Sequence, residues 1–374
     1  MKTRSLVVAP QWIGDAVMAE PMLAALAARG EVLTVAALPW VAPVLRAMPQ
    51  VADIVTMPFE HGRLDLRGRL ATARTLRGRF DAAYVLPNTL KSALVPWLAR
   101  IPRRVGYQGE GRIGLLDERL PNPIGKPPMV GFYGALAGGV AADARPQLRL
   151  DGAVVDAALA RHGVEARRYW VYAPGAEYGG AKRWPPEHYA ELARTMHARD
   201  GLPILLLGSA KEAEIGERIA ALAPGACRVL AGRTSLDDAM ALIAAARGAA
   251  SNDSGLMHVA AGFGVPQVAL FGSTSPQHTP PLNPHARVLW LKTMRGATPL
   301  DCQPCFDREC RFGHLLCLKS IEPAIADEAL EQSVACANRL PGNRRGSGFA
   351  GPPAAPPGWG AASSRNGAGS HHLP

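Results

Sequence analysis

Three short segments carry side chains whose types and spacing could do chemistry. Asp15 follows Gly14 just after a short apolar run. A carboxylate on that edge can take a proton from a hydroxyl as a general base, or it can simply cap a helix. Segment 174–185, PGAEYGGAKRWP, has three glycines that allow close backbone approach, while Lys182 and Arg183 add positive charge. That combination suits a diphosphate, and a solvated basic loop is the plainer alternative. Its spacing is neither that of a P-loop nor of a GxGxxG turn. Glu177 in the same segment can accept from hydroxyls or an amine, or pair with Lys182. The third segment runs from Asn252 through Asp253, Ser254 and Gly255 into a helical pattern that starts at Leu256. The first N–H groups of such a helix are unpaired and attract anions. Asp253 is itself negative, so a sugar hydroxyl suits it better than a phosphate, and Asp253 or Ser254 also suits the helix cap. His258, four residues after Ser254, can face the same ligand from the first turn, or be packed in the core.

A fourth group is different in kind. Cys302, Cys305, Cys310 and Cys317, with His314 between the last two, lie within sixteen residues. They have the composition of a zinc site but not the spacing of a common finger. Reduced packed thiols or a redox-sensitive loop carry more weight in a reducing compartment. No D-x-D triplet occurs, so the usual acidic signal for a metal-bound nucleotide sugar is absent.

These residues need elements to position them, and the chain supplies an alternation. Short apolar runs at 6–10, 31–38, 52–57, 81–87 and 103–107 are separated by helical patterns, including 16–29, 70–78 and 91–100. A second series begins at 169–175 and continues through 203–209, 227–232, 249–251, 267–273 and 286–291, with a last helix over 322–339. Such alternation predicts an α/β fold of two doubly wound parallel-sheet domains, with the ligand between them at the carboxyl ends of the strands. Asn88 and Lys91 fall at such an end in the first domain. Between 109 and 151 the periodicity fades and Pro and Gly accumulate, which puts a boundary nearby. The expected units are 1–155, 156–340 and a disordered Pro/Gly-rich tail over 341–374.

With 48% hydrophobic and 19% charged residues, the chain has the make-up of a soluble globular protein. No apolar stretch is long enough to span a membrane and the N-terminus does not read as a signal peptide, so a cytoplasmic location is expected. The net charge of +10 points to anionic partners. Without a Lys/Arg run or an aromatic-basic motif, small anionic molecules or an anionic membrane surface fit better than nucleic acid.

Taken in order, QWIGDAVMAEP, PNTLKSALVPWLARIPRRVGY, PGAEYGGAKRWPPEHYAEL and NDSGLMHVAA resemble the ADP-heptose:lipopolysaccharide heptosyltransferases, most closely their type II members, over about residues 5–335. The resemblance implies a GT-B fold with two Rossmann-like domains, the first binding the acceptor and the second the donor. It implies an inverting, metal-independent transfer with no cofactor. L-glycero-D-manno-heptose would pass from ADP-heptose to the first heptose of the Kdo2-lipid A inner core, at the cytoplasmic face of the inner membrane. On this pattern Asp15 matches the general base and Lys182 meets the charge of the leaving diphosphate. Glu177, Asp253, Ser254, Gly255 and His258 fall on the donor side, and Gly14, Asn88 and Lys91 on the acceptor side. Ser254 stands where some relatives have Thr, which keeps the hydroxyl. Ala176 to Gly180 lacks the Thr-rich loop of type I enzymes. Type I, another nucleotide-sugar GT-B transferase, and a non-catalytic membrane scaffold remain as alternatives.

Overall fold

The computed structural model describes residues 2–59 and 64–339; the expected tail at 341–374 lies outside them. The first half runs β1 (Arg4–Val8), α1 (Ile13–Ala28), β2 (Val32–Ala37), α2 (Ala42–Arg46), β3 (Val51–Thr56), α3 (Leu66–Leu76), β4 (Ala82–Val85), α4 (Leu90–Leu98), β5 (Arg103–Tyr107) and β6 (Glu118–Leu120). Two helices, α5 (Met129–Ala135) and α6 (Gly152–His162), lead onward. The second half runs β7 (Trp170–Ala173), α7 (Pro186–Asp200), β8 (Ile204–Leu206), α8 (Ala213–Leu222), β9 (Cys227–Val229), α9 (Leu236–Ala244), β10 (Ala249–Asn252), α10 (Gly255–Gly262), β11 (Gln267–Phe271) and β12 (Ala286–Trp290). It closes with α11 (Leu316–Lys319) and α12 (Pro323–Arg339).

Each half holds one six-stranded sheet, ordered β3-β2-β1-β4-β5-β6 and β12-β11-β10-β7-β8-β9. All pairings within them are parallel. The two orders are the same doubly wound order, started afresh at β7. The strand order therefore reverses between β1 and β4 in one half and between β7 and β10 in the other, and ligands bind where it reverses. Central strands such as β4 and β11 are buried at every position, which is why they read as continuous apolar runs. The sequence reading missed β6, α5, α6 and α11. α6 carries the chain past the expected 155/156 boundary, capped by the Asp151 side chain on Ala153 N–H and ended by Gly163 at φ +58°.

The halves meet along α1 and α10. A methyl group built on Gly14 would lie 2.7 Å from the His258 ring, and one on Gly255 would lie 2.9 Å from Ile13 Cβ. These two glycines let the helix starts approach more closely than side chains would permit. One apolar core runs through this seam, joining Val17, Leu23 and Leu26 of α1 to Val259 and Ala260 of α10. Elsewhere Met129 N–H donates to His278 O at 3.0 Å and Leu148 N–H to Gly262 O at 2.9 Å.

Candidate active site

Four loops leave the sheets where the strand order reverses, and they carry nearly all the residues singled out above. Asp15 follows β1. It is not on a loop before a helix at Ala16, as the sequence suggested, because α1 already begins at Ile13. Asp15 therefore sits in the first helical turn, in the field of the helix N-terminus. It keeps partial access to solvent. Its Oδ1 accepts a 3.1 Å hydrogen bond from the Tyr133 hydroxyl of α5. Desolvation raises the Asp15 carboxyl to about 6, opposed by the Tyr133 bond and by the charge of Lys182. A base that ionises near the working pH is well matched to taking a proton from a hydroxyl.

Across the seam, the β7 and β10 loops make one charged pair. Lys182 Nζ lies 2.7 Å from Asp253 Oδ2, and both side chains are largely buried. Asp253 is held further by the Thr274 hydroxyl at 2.6 Å and, more loosely, by Thr279 at 3.4 Å. The pair is close enough to Asp15 for both charges to be felt there, Lys182 favouring its ionised form and Asp253 opposing it.

Asn252 fastens the two loops together. Its amide donates to Pro174 O at 2.7 Å and to Gly175 O at 3.3 Å. Its carbonyl accepts from Trp184 N–H and from the Tyr189 hydroxyl, both at 3.1 Å. All of its hydrogen-bonding capacity within the site is spent on holding the glycine-rich segment and α7 to β10.

Several expectations change. Glu177 does not pair with Lys182; it is exposed and bonds Lys211 Nζ at 2.8 Å. Neither Asp253 nor Ser254 caps α10 through its side chain: Ser254 occupies the cap position without a capping bond, and its buried Oγ has no partner. The α10 N–H groups thus stay open for another acceptor. His258 is in the first turn of α10 as expected, but it is buried against Gly14, and burial lowers its pKa to about 4. The ring is neutral, packs at the seam, and lies close enough to Asp253 and Lys182 for both charges to be felt there.

On the first half, Lys91 lines a cavity with Gln11, Arg69 and Ser92. Asn88 is engaged by Arg112 at 3.0 Å and Asn122 at 2.8 Å. Tyr133, Thr274 and Asn252's bracing role were not found by sequence reasoning. Tyr133 lies 118 residues from Asp15, in a Gly-rich stretch without periodicity, and no local signal marks it. Phe132, the neighbour of Tyr133 on α5, stacks on Tyr107 with centroids 4.1 Å apart.

Two doubly wound domains, with a carboxylate of the first facing a lysine and an open helix N-terminus of the second, define a GT-B glycosyltransferase. The sequence pattern of glycosyltransferase family 9 (heptosyltransferase) matches residues 69–316, and this chain belongs to that family. It is 43% identical over 307 residues to lipopolysaccharide heptosyltransferase 2 of Escherichia coli strain K12, covering 77% of this chain and 88% of that protein. It is 37% identical over 358 residues to lipooligosaccharide heptosyltransferase 2 of Haemophilus ducreyi, covering 88% and 99%. The solved structure of E. coli ADP-heptose LPS heptosyltransferase II superposes with a TM-score of 0.76 at 37% identity, covering 90% of this chain and 100% of that one.

Proposed function

We propose that this glycosyltransferase moves L-glycero-D-manno-heptose from ADP-heptose to the first heptose of the Kdo2-lipid A inner core, as a type II heptosyltransferase. The observation that carries the mechanism is Asp15, with its carboxyl near 6, facing the Lys182–Asp253 pair across the seam. Asp15 takes the proton from the acceptor hydroxyl as its oxygen attacks the anomeric carbon. The bond to the diphosphate breaks on the opposite face, its electrons leave with ADP, and the configuration inverts.

Developing charge on the diphosphate is met by Lys182 and the open N–H groups of α10. These cations and dipoles do the work that a divalent metal does in D-x-D transferases, so the chemistry runs without one. Asp253, held by Thr274, keeps Lys182 extended toward the donor. Glu177, exposed and paired with Lys211 through Oε1, keeps acceptor capacity for ribose hydroxyls. Lys91 and Arg69 offer positive charge to the anionic acceptor.

Among the described residues no helix is long and apolar enough to cross a membrane. The net charge of +10 supports peripheral binding at the cytoplasmic face of the inner membrane, where the acceptor would be met.

The test is transfer by purified protein from ADP-heptose to heptosyl-Kdo2-lipid A with EDTA present. Asp15→Asn is expected to abolish turnover while keeping ADP binding; normal turnover by that variant would remove Asp15 from the role of base. Preference of the free protein for UDP over ADP would remove the heptose reading.

A further inference from the structure

The four clustered cysteines play no part in the transfer chemistry. Cys302, Cys305, Cys310 and Cys317 all line one cavity behind the donor site, with Ala181 and Ser273 forming its inner wall. Among the described residues none of the cysteines is in a disulfide. The chain turns back after Cys310, Gly313 N–H donating to Cys310 O at 2.9 Å, which brings the backbone N–H groups of Phe312, His314 and Leu315 near its sulfur. Two residues in this segment, Phe306 and Leu315, are held at positive φ, 56° and 52°, conformations that tighten the chain after Cys305 and before Cys317. Ser273 is 2% exposed and its hydroxyl has no hydrogen-bond partner, an unsatisfied buried polar group on the cavity wall. His314 is otherwise engaged, accepting from Leu316 N–H at 3.0 Å and stacking on Phe312.

We propose that Cys302, Cys305, Cys310 and Cys317 form a structural tetrathiolate site for one soft divalent cation, zinc or ferrous iron. Four sulfur donors without an open position match a closed, non-catalytic centre. Among the described residues no group of three or more such donors is arranged to hold a metal ion as it stands, so binding requires rotation of the thiol side chains into the cavity they share. Each thiol releases its proton to solvent as its sulfur bonds the ion, with no change of oxidation state.

The segment so fastened is the one that backs the lysine loop. Arg308 O accepts from Ala181 N–H at 2.9 Å, Glu309 Oε1 from Gly180 N–H at 2.9 Å, and Phe306 O from the Tyr178 hydroxyl at 2.6 Å. The ion therefore braces the loop that presents Lys182 without touching the substrate. A closed thiolate site exchanges slowly, so EDTA present only during an assay reports on the transfer chemistry and leaves this centre in place.

Elemental analysis of the full-length protein, purified anaerobically under reducing conditions, is expected to find about one equivalent of zinc or iron per chain. After removal of that metal, titration with cobalt alone is expected to give the visible bands of a tetrahedral cobalt–thiolate centre, which requires no variant to fold. His371 and His372 can also ligate metal, so the comparison is the C302S/C305S/C310S/C317S chain, expected to lose the equivalent; C227S/C336S is expected to keep it. Metal removal should raise KM for the donor several-fold with less effect on kcat. The proposal is overturned by a metal-free chain that also gives no tetrahedral cobalt spectrum, by a disulfide within the quartet in the anaerobic protein, or by unchanged metal in the chain lacking all four thiols.

Discussion

At the scale of single residues, the site depends on how the protein tunes one carboxylate. Asp15 is raised to about 6 by desolvation, and the Tyr133 hydroxyl works against that rise by stabilising the ionised form. An ionised base is needed for transfer, so kcat/KM should climb with pH through about 6 and level off above it. Removing the Tyr133 hydroxyl removes a stabilising bond to the anion. Tyr133→Phe should therefore move the acidic limb to higher pH and lower kcat/KM near pH 6 by a few-fold, with recovery at high pH. A pH profile of both proteins checks this, and a uniform loss at every pH would assign Tyr133 to packing alone. Asp15 was singled out in the sequence because it follows the first strand of a doubly wound domain, at the edge that faces the ligand cleft, where capping a helix stood as the alternative and the resemblance supplied the role of base. Tyr133 was not, and neither was the pairing of Lys182 with Asp253, 71 residues apart. Side-chain partners across such separations are decided by the docking of whole elements.

Those elements were read with uneven success, for a physical reason. Buried parallel strands are continuous apolar runs, so the two series of strands stood out, and β5 runs over the expected residues. α5 lacks such a signature: seven residues long with two glycines, it is a helix only because Tyr107 and α1 give it a surface to pack on. The crossing of α1 with α10 is equally tertiary. Gly14→Ala would drive a methyl group into the His258 ring, and overpacking of this kind costs roughly 1–3 kcal/mol. The expected result is a loss in kcat/KM of about tenfold together with weaker ADP binding, because the displaced ring belongs to the first turn of α10, whose N–H groups meet the diphosphate. Kinetics together with ADP titration would separate the two effects. Glu20 on α1 is a second pressure point. It is buried, accepts from Gln147 N–H at 3.0 Å and from the Gln50 amide, and burial raises its pKa from 4.5 to about 7. The native state thus holds this proton more tightly than the unfolded chain. Its contribution to stability is full below about 4.5 and is lost as pH rises through about 7. Gln50 Oε1 has no partner, and turning that amide lets it accept from a neutral group at position 20. Glu20→Gln should therefore flatten this part of the pH dependence, with a gain on the order of 3 kcal/mol at most at pH 8. Denaturant unfolding at pH 5 and pH 8 tests it; a variant less stable at both pH values would contradict the assignment.

At the scale of the whole molecule, the two halves have the same strand order and meet with their points of reversal facing, so one half's base lies in the electric field of the other half's cation. This relation follows from the repeated fold and was legible in outline from the two strand series, while the sign and strength of the coupling required the geometry. Lys182 favours the ionised form of Asp15 and Asp253 opposes it. A diphosphate bound to Lys182 and the α10 N–H groups brings negative charge to the same place and offsets the lysine. Its arrival from the second half should raise the pKa of the base on the first half. The two kinetic constants report different states, kcat/KM the free enzyme and kcat the enzyme with its substrates bound. The acidic limb of kcat should consequently lie at higher pH than that of kcat/KM. Saturating ADP, with its diphosphate in place of the donor's, should move the Asp15 titration in the same direction when followed by NMR of the labelled carboxyl. Lys182→Met removes the cation the diphosphate offsets and leaves Asp253 buried without its main partner, a change that costs about 3–5 kcal/mol where a buried pair is broken. Its unfolding is therefore measured alongside its kinetics. In the folded variant the free-enzyme limb should already sit above that of the wild-type chain, because the charge that favours the Asp15 anion is gone. Coincident limbs for kcat and kcat/KM in the wild-type protein, with no movement of the carboxyl on ADP binding, would mean that the halves share a cleft without sharing a field.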